Sequence, residues 1–234
     1  MVDRPPPWAS LSAEERRITV ANVRACCARL PPPGRHFYHE AAEIRPAAGL
    51  VPVVDIGGEA ALIVTKRPDT MLHHKSDWVF PGGRIDPGID TNPMEAALRE
   101  AEEELGIAPQ NIEIIGQLDS HGPFITGFTL EVFVGVVDAG STLDPHPKEV
   151  AEVAIIALST LMTEGHYWLG GLPPGYDPGP VATATDPRYK AAGLEGTMHH
   201  FAVKEGLDNE VLWGTQGTIV FNLLTHLVTS RANR

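Results

Sequence analysis

The alternation of apolar and polar positions predicts a chain that mixes strands with helices. Two β-rich apolar runs fall at 50–56 and 60–65, and Gly57-Gly58 between them is a hairpin signal. A long helical pattern covers 218–229. Three further strand runs occur, at 112–118, 129–137 and 153–158. Because strands and helices do not alternate regularly, the pattern favours an α+β fold or a mixed-sheet sandwich over a βαβ fold.

The N-terminal part of the chain predicts one helix ahead of the strands. This helix begins at Ser12, whose spacing to Glu15 resembles a capping box, and it ends at Leu30. Proline-rich stretches precede and follow it. We therefore divide the chain into an N-terminal Pro-rich segment and helix, residues 1–44, and a main domain, residues 45–234, on which that helix packs.

A second helix, over 93–105, has signals at both ends. Asn92 is a good N-cap and Pro93 suits the first helical position. Glu95 lies where a capping-box acid belongs, and Gly106 stands where a left-handed C-terminal residue is expected.

A long stretch near the C-terminus, residues 164–198, is rich in Gly, Pro, Asp and Thr. A loop of this length inside a compact domain is usually functional or disordered, so we expect a mobile cover or a specificity loop. Two histidine pairs, His73-His74 and His199-His200, have no Cys or carboxylate partner at zinc-like spacing. We expect them at the surface or in a substrate loop.

Length and composition narrow the class of protein. With 234 residues, of which 43% are hydrophobic, the chain suits one sizeable domain with appendages. Its net charge of −12 argues against non-specific nucleic-acid binding, which depends on a basic surface.

No apolar run approaches the roughly 20 residues of a membrane helix, and the N-terminus lacks the apolar core of a signal peptide. The adjacent Cys26 and Cys27 predict no disulfide framework. We expect a cytoplasmic protein with no nucleic-acid or membrane partner.

The chemistry concentrates on the helix predicted over 93–105. One stripe of this helix is apolar, at positions four, three and four apart: Met94, Leu98, Ala101 and Leu105. Roughly opposite lie three carboxylates, those of Glu100, Glu103 and Glu104. These charges repel one another; Arg99 relieves part of the repulsion, and a hard divalent cation bound by oxygen ligands would relieve far more. A solvated acidic face is the alternative, but the Gly82-Gly83 turn ahead of the helix would let backbone carbonyls approach the same place.

These residues resemble the signature of the Nudix hydrolase family. Residues 99–107 match its second half, which reads Arg-Glu, an apolar residue, any residue, Glu-Glu, any residue, Gly and an apolar residue. Phe80-Pro81-Gly82-Gly83 matches its loop, and strand runs on either side extend the likeness over about residues 45–230. The resemblance implies a Nudix-type α/β/α sandwich with a mixed β-sheet, a nucleoside diphosphate derivative as substrate, and Mg²⁺ or Mn²⁺ as cofactor.

The resemblance also implies roles for individual residues. Glu103 and Glu104 would be metal ligands, and Glu100 would be a ligand or the general base. Arg99 would orient these glutamates, and Gly83 would contribute a backbone carbonyl to the metal.

Further candidates each have two interpretations. The resemblance implies a further acid from a later loop, which serves as base or as an extra metal ligand; Glu149 is the candidate, with Glu152 second. Alternatively, Glu149 is a surface acid beside Lys148. Lys66 and Arg67 would meet substrate phosphates, or they form a solvated strand end.

The loop ahead of the helix departs from the usual signature. Arg99 follows Gly83 by 16 residues, two more than in the family pattern, so the loop glutamate is not at its normal spacing. Asp86 and Asp90 are the nearby acids, and the sequence does not distinguish between them.

The lengthened loop with Asp86 after Phe-Pro-Gly-Gly is similar to the coenzyme A diphosphatase branch of the family, which adds Asp86 to the substrate-contact candidates. Trp213-Gly214 ahead of the last helix agrees with that branch, whereas residues 71–78 match it clearly only at His74. The expected substrate is coenzyme A or an acyl-CoA. ADP-ribose, a dinucleotide or a damaged nucleotide is the alternative, and a Nudix-fold binding module without turnover is a third. The resemblance also makes a homodimer an expectation.

Overall fold

The structure is a computed structural model that describes most of the chain. The described residues are 5–36, 43–70, 75–122, 127–171, 173, 198–207 and 209–232. His73 and His74, and most of the stretch predicted as a loop over 164–198, lie outside them. Across the described part, no helix is long and apolar enough to cross a membrane.

An eight-stranded mixed sheet forms the centre of the fold. Its strands are β1 (Arg35–His36), β2 (Arg45–Ile56), β3 (Glu59–Lys66), β4 (Trp78–Val79), β5 (Gly82–Arg84), β6 (Ile112–His121), β7 (Phe128–Val137) and β8 (Glu152–Ala157). The strand order is β1-β6-β7-β2-β3-β4, with β5 also paired to β2 and β8 to β3. The pairs β1–β6 and β2–β7 are parallel and the other pairs are antiparallel.

The predicted hairpin at Gly57-Gly58 is confirmed. Both glycines have positive φ, 64° and 84°, as a two-residue hairpin turn requires, and Ile56 pairs with Glu59 across the turn. The Gly58 amide donates to Oδ1 of Asp55 at 2.9 Å, which further stabilises the turn.

Helices cover both faces of this sheet, so the predicted α/β/α sandwich is confirmed. Helix α3 (Pro93–Leu105) packs on one face, where its core cluster includes Ile63 and Leu105. Helices α2 (Val20–Cys27) and α5 (Gly214–Ala232) contribute to the core on the other face. The remaining helices are α1 (Ala13–Arg16), α4 (Leu158–Leu161) and a 3₁₀ turn at Pro109–Asn111.

The N-terminal segment packs on the main domain as expected, but the prediction of one helix from Ser12 to Leu30 is wrong. The chain breaks between α1 and α2, because the Ile18 carbonyl accepts a hydrogen bond of 2.7 Å from the Ala60 amide of β3. The Ile18 side chain is buried at the same point. Thr19 then caps α2 as a new helix, while Ser12 and Glu15 form the predicted capping box of α1. Tertiary contacts thus override the helical pattern.

A second, three-stranded antiparallel sheet corrects the prediction of one loop over 164–198. Its strands are β9 (Tyr167–Gly170), β10 (Met198–Ala202) and β11 (Val211–Leu212), in the order β11-β10-β9. Within the predicted loop, residues 167–170 and 198 are therefore strand residues, and 164–166 form a turn.

The same sheet contains His199 and His200, which we expected at the surface or in a substrate loop; His200 is buried and His199 is partly buried. His200 is 2% exposed and stacks on Trp168, and its Nδ1 lies 3.0 Å from the Met198 carbonyl oxygen. The ring of His199 stacks on Phe221 of α5, with 3.9 Å between ring centroids. Strand pairing and aromatic packing, which the local sequence did not indicate, account for the difference.

Candidate functional site

The ends of helix α3 are set by local capping interactions, as predicted. The Glu95 amide donates to Oδ1 of Asn92 at 3.0 Å, and Gly106 ends the helix at φ 70°. One detail differs from a capping box. The Glu95 carboxylate accepts hydrogen bonds from the amide and the hydroxyl of Thr91, at 2.9 and 2.6 Å, so the reciprocal bond reaches one residue further back.

The buried face of α3 is rotated relative to the predicted apolar stripe. Met94 is 37% exposed and Leu98 is only partly buried. The buried residues are Ala96, Ala97, Ala101, Glu104 and Leu105. Glu104 therefore belongs to the face that packs on the sheet, and the expectation that it lies opposite the apolar stripe is wrong.

Glu104 is a carboxyl buried between the helix and the sheet. It is 5% exposed, and its oxygens lie 3.4 Å from the Gly82 amide nitrogen and 3.5 Å from the Thr65 hydroxyl. Burial raises the pKa of Glu104 to about 8, and the nearby charge of Glu100 adds to this rise. Such long hydrogen bonds leave a buried carboxylate poorly compensated, so a cation would stabilise its charged form.

Glu100 lies against the backbone of Gly82 and Gly83. The sequence predicted a turn at these two glycines, but the structure bends at Pro81 and both glycines are residues of strand β5, because they pair with β2. A Cβ on Gly83 would come within 2.6 Å of Oε2 of Glu100 and closer still to its other carboxyl atoms, so only glycine leaves room for this carboxyl. Burial raises the pKa of Glu100, and the ion pair with Arg99 opposes the rise.

Arg99 holds the acidic residues together. Its Nε and Nη2 donate to the two carboxylate oxygens of Asp90 at 2.9 and 3.1 Å. Its Nη1 donates to Glu100 at 2.9 Å and to Glu103 at 3.1 Å, and Nη2 also donates to the Arg84 carbonyl at 3.0 Å. These hydrogen bonds and charges raise the pKa of Arg99. The planar fork of a guanidinium is suited to such a set of contacts.

Asp90, rather than Asp86, provides the loop acid that contacts Arg99. The Asp90 side chain is 2% exposed, and the hydrogen bond from Arg99 lowers the pKa of its carboxyl. Asp86 is exposed; its carboxylate accepts from the Gly88 amide at 2.8 Å, and its own amide donates to Asp90 at 2.7 Å. Asp86 thus forms the turn that presents Asp90. The sequence signal for Asp90 was its position just ahead of the helix cap at Asn92.

Glu149 lies close to the two buried glutamates. Its charge raises the pKa of both Glu100 and Glu104. Its side chain is 46% exposed, and Oε1 lies 3.8 Å from Nδ1 of His146, whose amide donates to the Glu104 carbonyl at 3.0 Å. Glu152, the second candidate, instead accepts a hydrogen bond of 2.7 Å from Lys204.

The two basic candidates lie at the end of β3, Lys66 as its last residue and Arg67 directly after it, and they point to opposite faces of the sheet. Thr65 approaches Glu104, and side chains alternate along a strand, so Arg67 shares the face of α3. The Arg67 charge opposes the rise in the pKa of Glu104, and among the described residues its buried Nε has no hydrogen-bond partner. Lys66 points to the other face and forms a hydrogen-bonded ion pair with Glu210. The structure thus brings Arg67 to the carboxylates, but not Lys66.

The acidic cluster suits a hard divalent cation in donor type and in charge. Burial and the charge of Glu149 raise the pKa of both Glu100 and Glu104, and a bound divalent cation would stabilise the charged form of these two oxygen donors. In the described part of the chain, no three His, Cys, Asp or Glu side chains converge closely enough to form a complete metal cluster. Glu103 and Glu100 are instead engaged by Arg99.

Comparison with known proteins identifies the family. Residues 43–170, more than half of the chain, match the NUDIX domain. The chain belongs to the Nudix family. Two curated relatives of the same family are both named "Uncharacterized Nudix hydrolase NudL". The one from Photorhabdus laumondii is 34% identical over 142 residues, which are 59% of this chain and 71% of the relative. The one from Yersinia enterocolitica is 38% identical over 127 residues, which are 53% of this chain and 62% of the relative.

Solved structures of Nudix domains are more distant. The NUDIX domain of Shewanella oneidensis NrtR, complexed with ADP ribose, has a TM-score of 0.42 and 17% identity, covering 61% of this chain and 85% of that chain. Structural similarity at this level does not indicate the substrate of this chain. The expectation of a Nudix hydrolase is confirmed by the domain match and by the curated relatives. Strands β10 and β11 and helix α5 lie beyond the matched residues.

Proposed function

We propose that this Nudix protein is a metal-dependent hydrolase that cleaves the diphosphate linkage of a nucleoside diphosphate derivative. The observation that carries the proposal is the acidic cluster around α3, in which Asp90 and Glu104 are buried. Arg99 binds Asp90, Glu100 and Glu103, while Glu104 is buried beside Gly82 with a raised pKa. A structural helix has no need for a buried, poorly compensated carboxyl, and such groups concentrate at functional sites.

A cation is required between the site and the substrate, because the protein and the diphosphate substrate are both negatively charged. The protein has a net charge of −12 and the substrate is a diphosphate. Glu100, Glu103 and Glu104, with the carbonyl of Gly83, would hold Mg²⁺ or Mn²⁺. When bound, this ion supplies charge neutralisation at the phosphoryl oxygens and a lowered pKa for a ligated water.

The remaining residues bind the substrate and move a proton. Arg67, whose charge lies close enough to Glu104 to oppose the rise in its pKa, binds a phosphate oxygen of the substrate through its guanidinium. Glu149 accepts the proton of the attacking water through its carboxylate, because it lies near the cluster and is half-exposed. Arg99 keeps Glu100 and Glu103 oriented and does not itself touch the substrate.

We extend the proposal to coenzyme A or an acyl-CoA as the substrate. The support is the sequence pattern of Phe80-Pro81-Gly82-Gly83, Asp86 and Trp213-Gly214, and α5 begins at Gly214, directly after this tryptophan. ADP-ribose, a dinucleotide or a damaged nucleotide would be cleaved by the same chemistry.

Product analysis by mass spectrometry tests both levels of the proposal. The purified protein is incubated with Mg²⁺ or Mn²⁺ and, separately, with coenzyme A, ADP-ribose and NADH, alongside the Glu104→Gln variant. Release of 3′,5′-ADP and 4′-phosphopantetheine by the wild type only would support coenzyme A. Cleavage of another substrate alone would retain the chemistry and reject coenzyme A. A folded wild-type protein that cleaves none of them would favour a substrate outside this panel or the binding module.

A further inference from the structure

Three side-chain hydrogen bonds connect the C-terminal part of the chain to the strand that leads into the Phe80–Gly83 turn. Trp78 Nε1 donates to Glu210 at 2.6 Å, and Trp213 Nε1 donates to Asp77 at 3.3 Å. The Phe80 amide donates to the side-chain oxygen of Gln216 at 3.2 Å. The segment 210–216 therefore runs alongside residues 77–80 and contacts them at three places.

This C-terminal segment is itself held firmly. Val211 and Leu212 are buried and pair with β10 as strand β11. The first turn of α5 packs directly on β10, because a Cβ on Gly217 would lie 2.9 Å from the carbonyl carbon of His199 and closer still to its oxygen. Gln216 thus extends from a rigid backbone rather than from a loose helix end.

The turn that Gln216 holds is the one that meets the acidic cluster. The Pro81 carbonyl accepts from Leu50 at 2.9 Å, the Gly82 amide points to Glu104 at 3.4 Å, and Gly83 lies against Glu100. Helix α3 therefore contacts this turn from one side. Gln216 holds Phe80, at the start of the turn, from the other side. Without the Gln216 contact, the Phe80 amide would lose an acceptor in a half-buried position.

We propose that Gln216, supported by Glu210 and Trp213, is a positioning residue that fixes the Phe80–Gly83 turn against Glu100 and Glu104. These three residues lie outside the matched Nudix residues, so the C-terminal segment completes the geometry of the Nudix site. Its consequence for turnover rests on the proposed function; the positioning itself does not.

Hydrogen–deuterium exchange followed by mass spectrometry tests the positioning without a substrate. Three variants of the full chain are compared with the wild type. Gln216→Met removes the acceptor at similar size, and Gln216→Glu retains an acceptor oxygen. Gln110→Met makes the same change at an exposed glutamine of the 3₁₀ turn. In Gln216→Met, we expect peptides covering 78–84 to exchange about 5- to 10-fold faster, the effect of losing one hydrogen bond. Gln216→Glu and Gln110→Met should exchange like the wild type.

Kinetics on the cleaved substrate then test the effect on the site. Gln216→Met should lower kcat about 10-fold at unchanged KM, because a displaced turn disturbs the carboxylates rather than the bound substrate. Unchanged exchange at 78–84 in Gln216→Met, or faster exchange with wild-type kcat, would overturn the inference. If the wild type cleaves nothing, the proposed function fails and the exchange result alone decides the positioning.

Discussion

Replacing Gly83 with alanine places a methyl group in the space that the Glu100 carboxyl occupies. The new Cβ would lie within 2.6 Å of Oε2 and nearer still to the other carboxyl atoms. Gly83 does not have a positive φ, and it pairs with Ala48 in β5 as an ordinary strand residue. The backbone therefore accepts alanine, and the clash falls on the Glu100 side chain.

The structure sets the size of the two expected effects. Carbon–oxygen contacts need roughly 3.5 Å, so the Glu100 carboxyl must move by about 1 Å. Loss of its hydrogen bond to Arg99 would cost about 1–1.5 kcal/mol of stability, which corresponds to a fall in Tm of about 2–6 °C. A misplacement of about 1 Å at a catalytic site costs on the order of 100-fold in rate. Gly83→Ala should therefore reduce kcat far more than it reduces stability.

The assay compares kcat at saturating Mg²⁺ with Tm from thermal unfolding, for Gly83→Ala and for Gly88→Ala as the matched control. At Gly88 a Cβ would meet only the exposed Asp86 carboxylate, at 3.3 Å, so both quantities should remain near wild type. Wild-type kcat in Gly83→Ala would refute the reasoning. A large fall in Tm would also refute it, because the strain would then lie in the backbone.

Further predictions concern the charges that surround Glu100. Arg99→Lys should lower kcat at least about 10-fold and lower the free energy of unfolding by about 1–3 kcal/mol, measured by kinetics and urea titration, because an ammonium cannot replace the guanidinium fork. Asp90→Asn should destabilise the protein most at neutral pH, because the pKa of Asp90 is lowered in the folded state. The Asp90 carboxylate then contributes to the free energy of unfolding above the unfolded-state pKa of about 3.9, and this contribution is lost as the pH falls through the folded-state pKa. Urea titrations at pH 7 and pH 3 check this, and an equal destabilisation at both would contradict it. Glu104→Gln should become increasingly more stable than the wild type from pH 5 to pH 9 in EDTA. The pKa of Glu104 is about 8 in the folded state, which is higher than in the unfolded state. The wild type therefore loses stability as the pH rises through the folded-state pKa, whereas the glutamine variant does not. Thermal unfolding across this pH range checks the sign, and a stability difference that does not change with pH would contradict it.

Features that depend on neighbouring residues in the sequence were predictable. The bounds of α3 follow from Asn92, Pro93 and Gly106, each of which acts on its own helix end. The hairpin at Gly57-Gly58 follows from the φ values that two glycines allow. The Nudix family was predictable for the same reason, since its signature is a continuous stretch of sequence that the domain match confirms.

Features that depend on distant contacts were not predictable. The break between α1 and α2 requires the Ala60 amide, which lies on a strand, and periodicity within the helix does not reveal it. The burial of Glu104 requires Gly82 and Thr65 as neighbours, so an apolar stripe alone misplaces the buried face. The choice of Asp90 over Asp86 requires the position of Arg99. In contrast, strand alternation could have separated Arg67 from Lys66, had it been continued past Thr65, where the predicted strand ends.

In the proposed function, the acidic cluster on α3 hydrolyses a diphosphate with the help of a divalent cation. The most direct test of this function is the initial rate of cleavage of the substrate found by product analysis, measured in EDTA and against increasing Mn²⁺ or Mg²⁺. Wild type, Glu104→Gln and the control Gln110→Met are compared. We expect no cleavage in EDTA, a rate that saturates with metal for wild type and control, and a fall of about 100-fold or more in Glu104→Gln. A rate independent of metal, or a wild-type rate in Glu104→Gln, would contradict the proposed function.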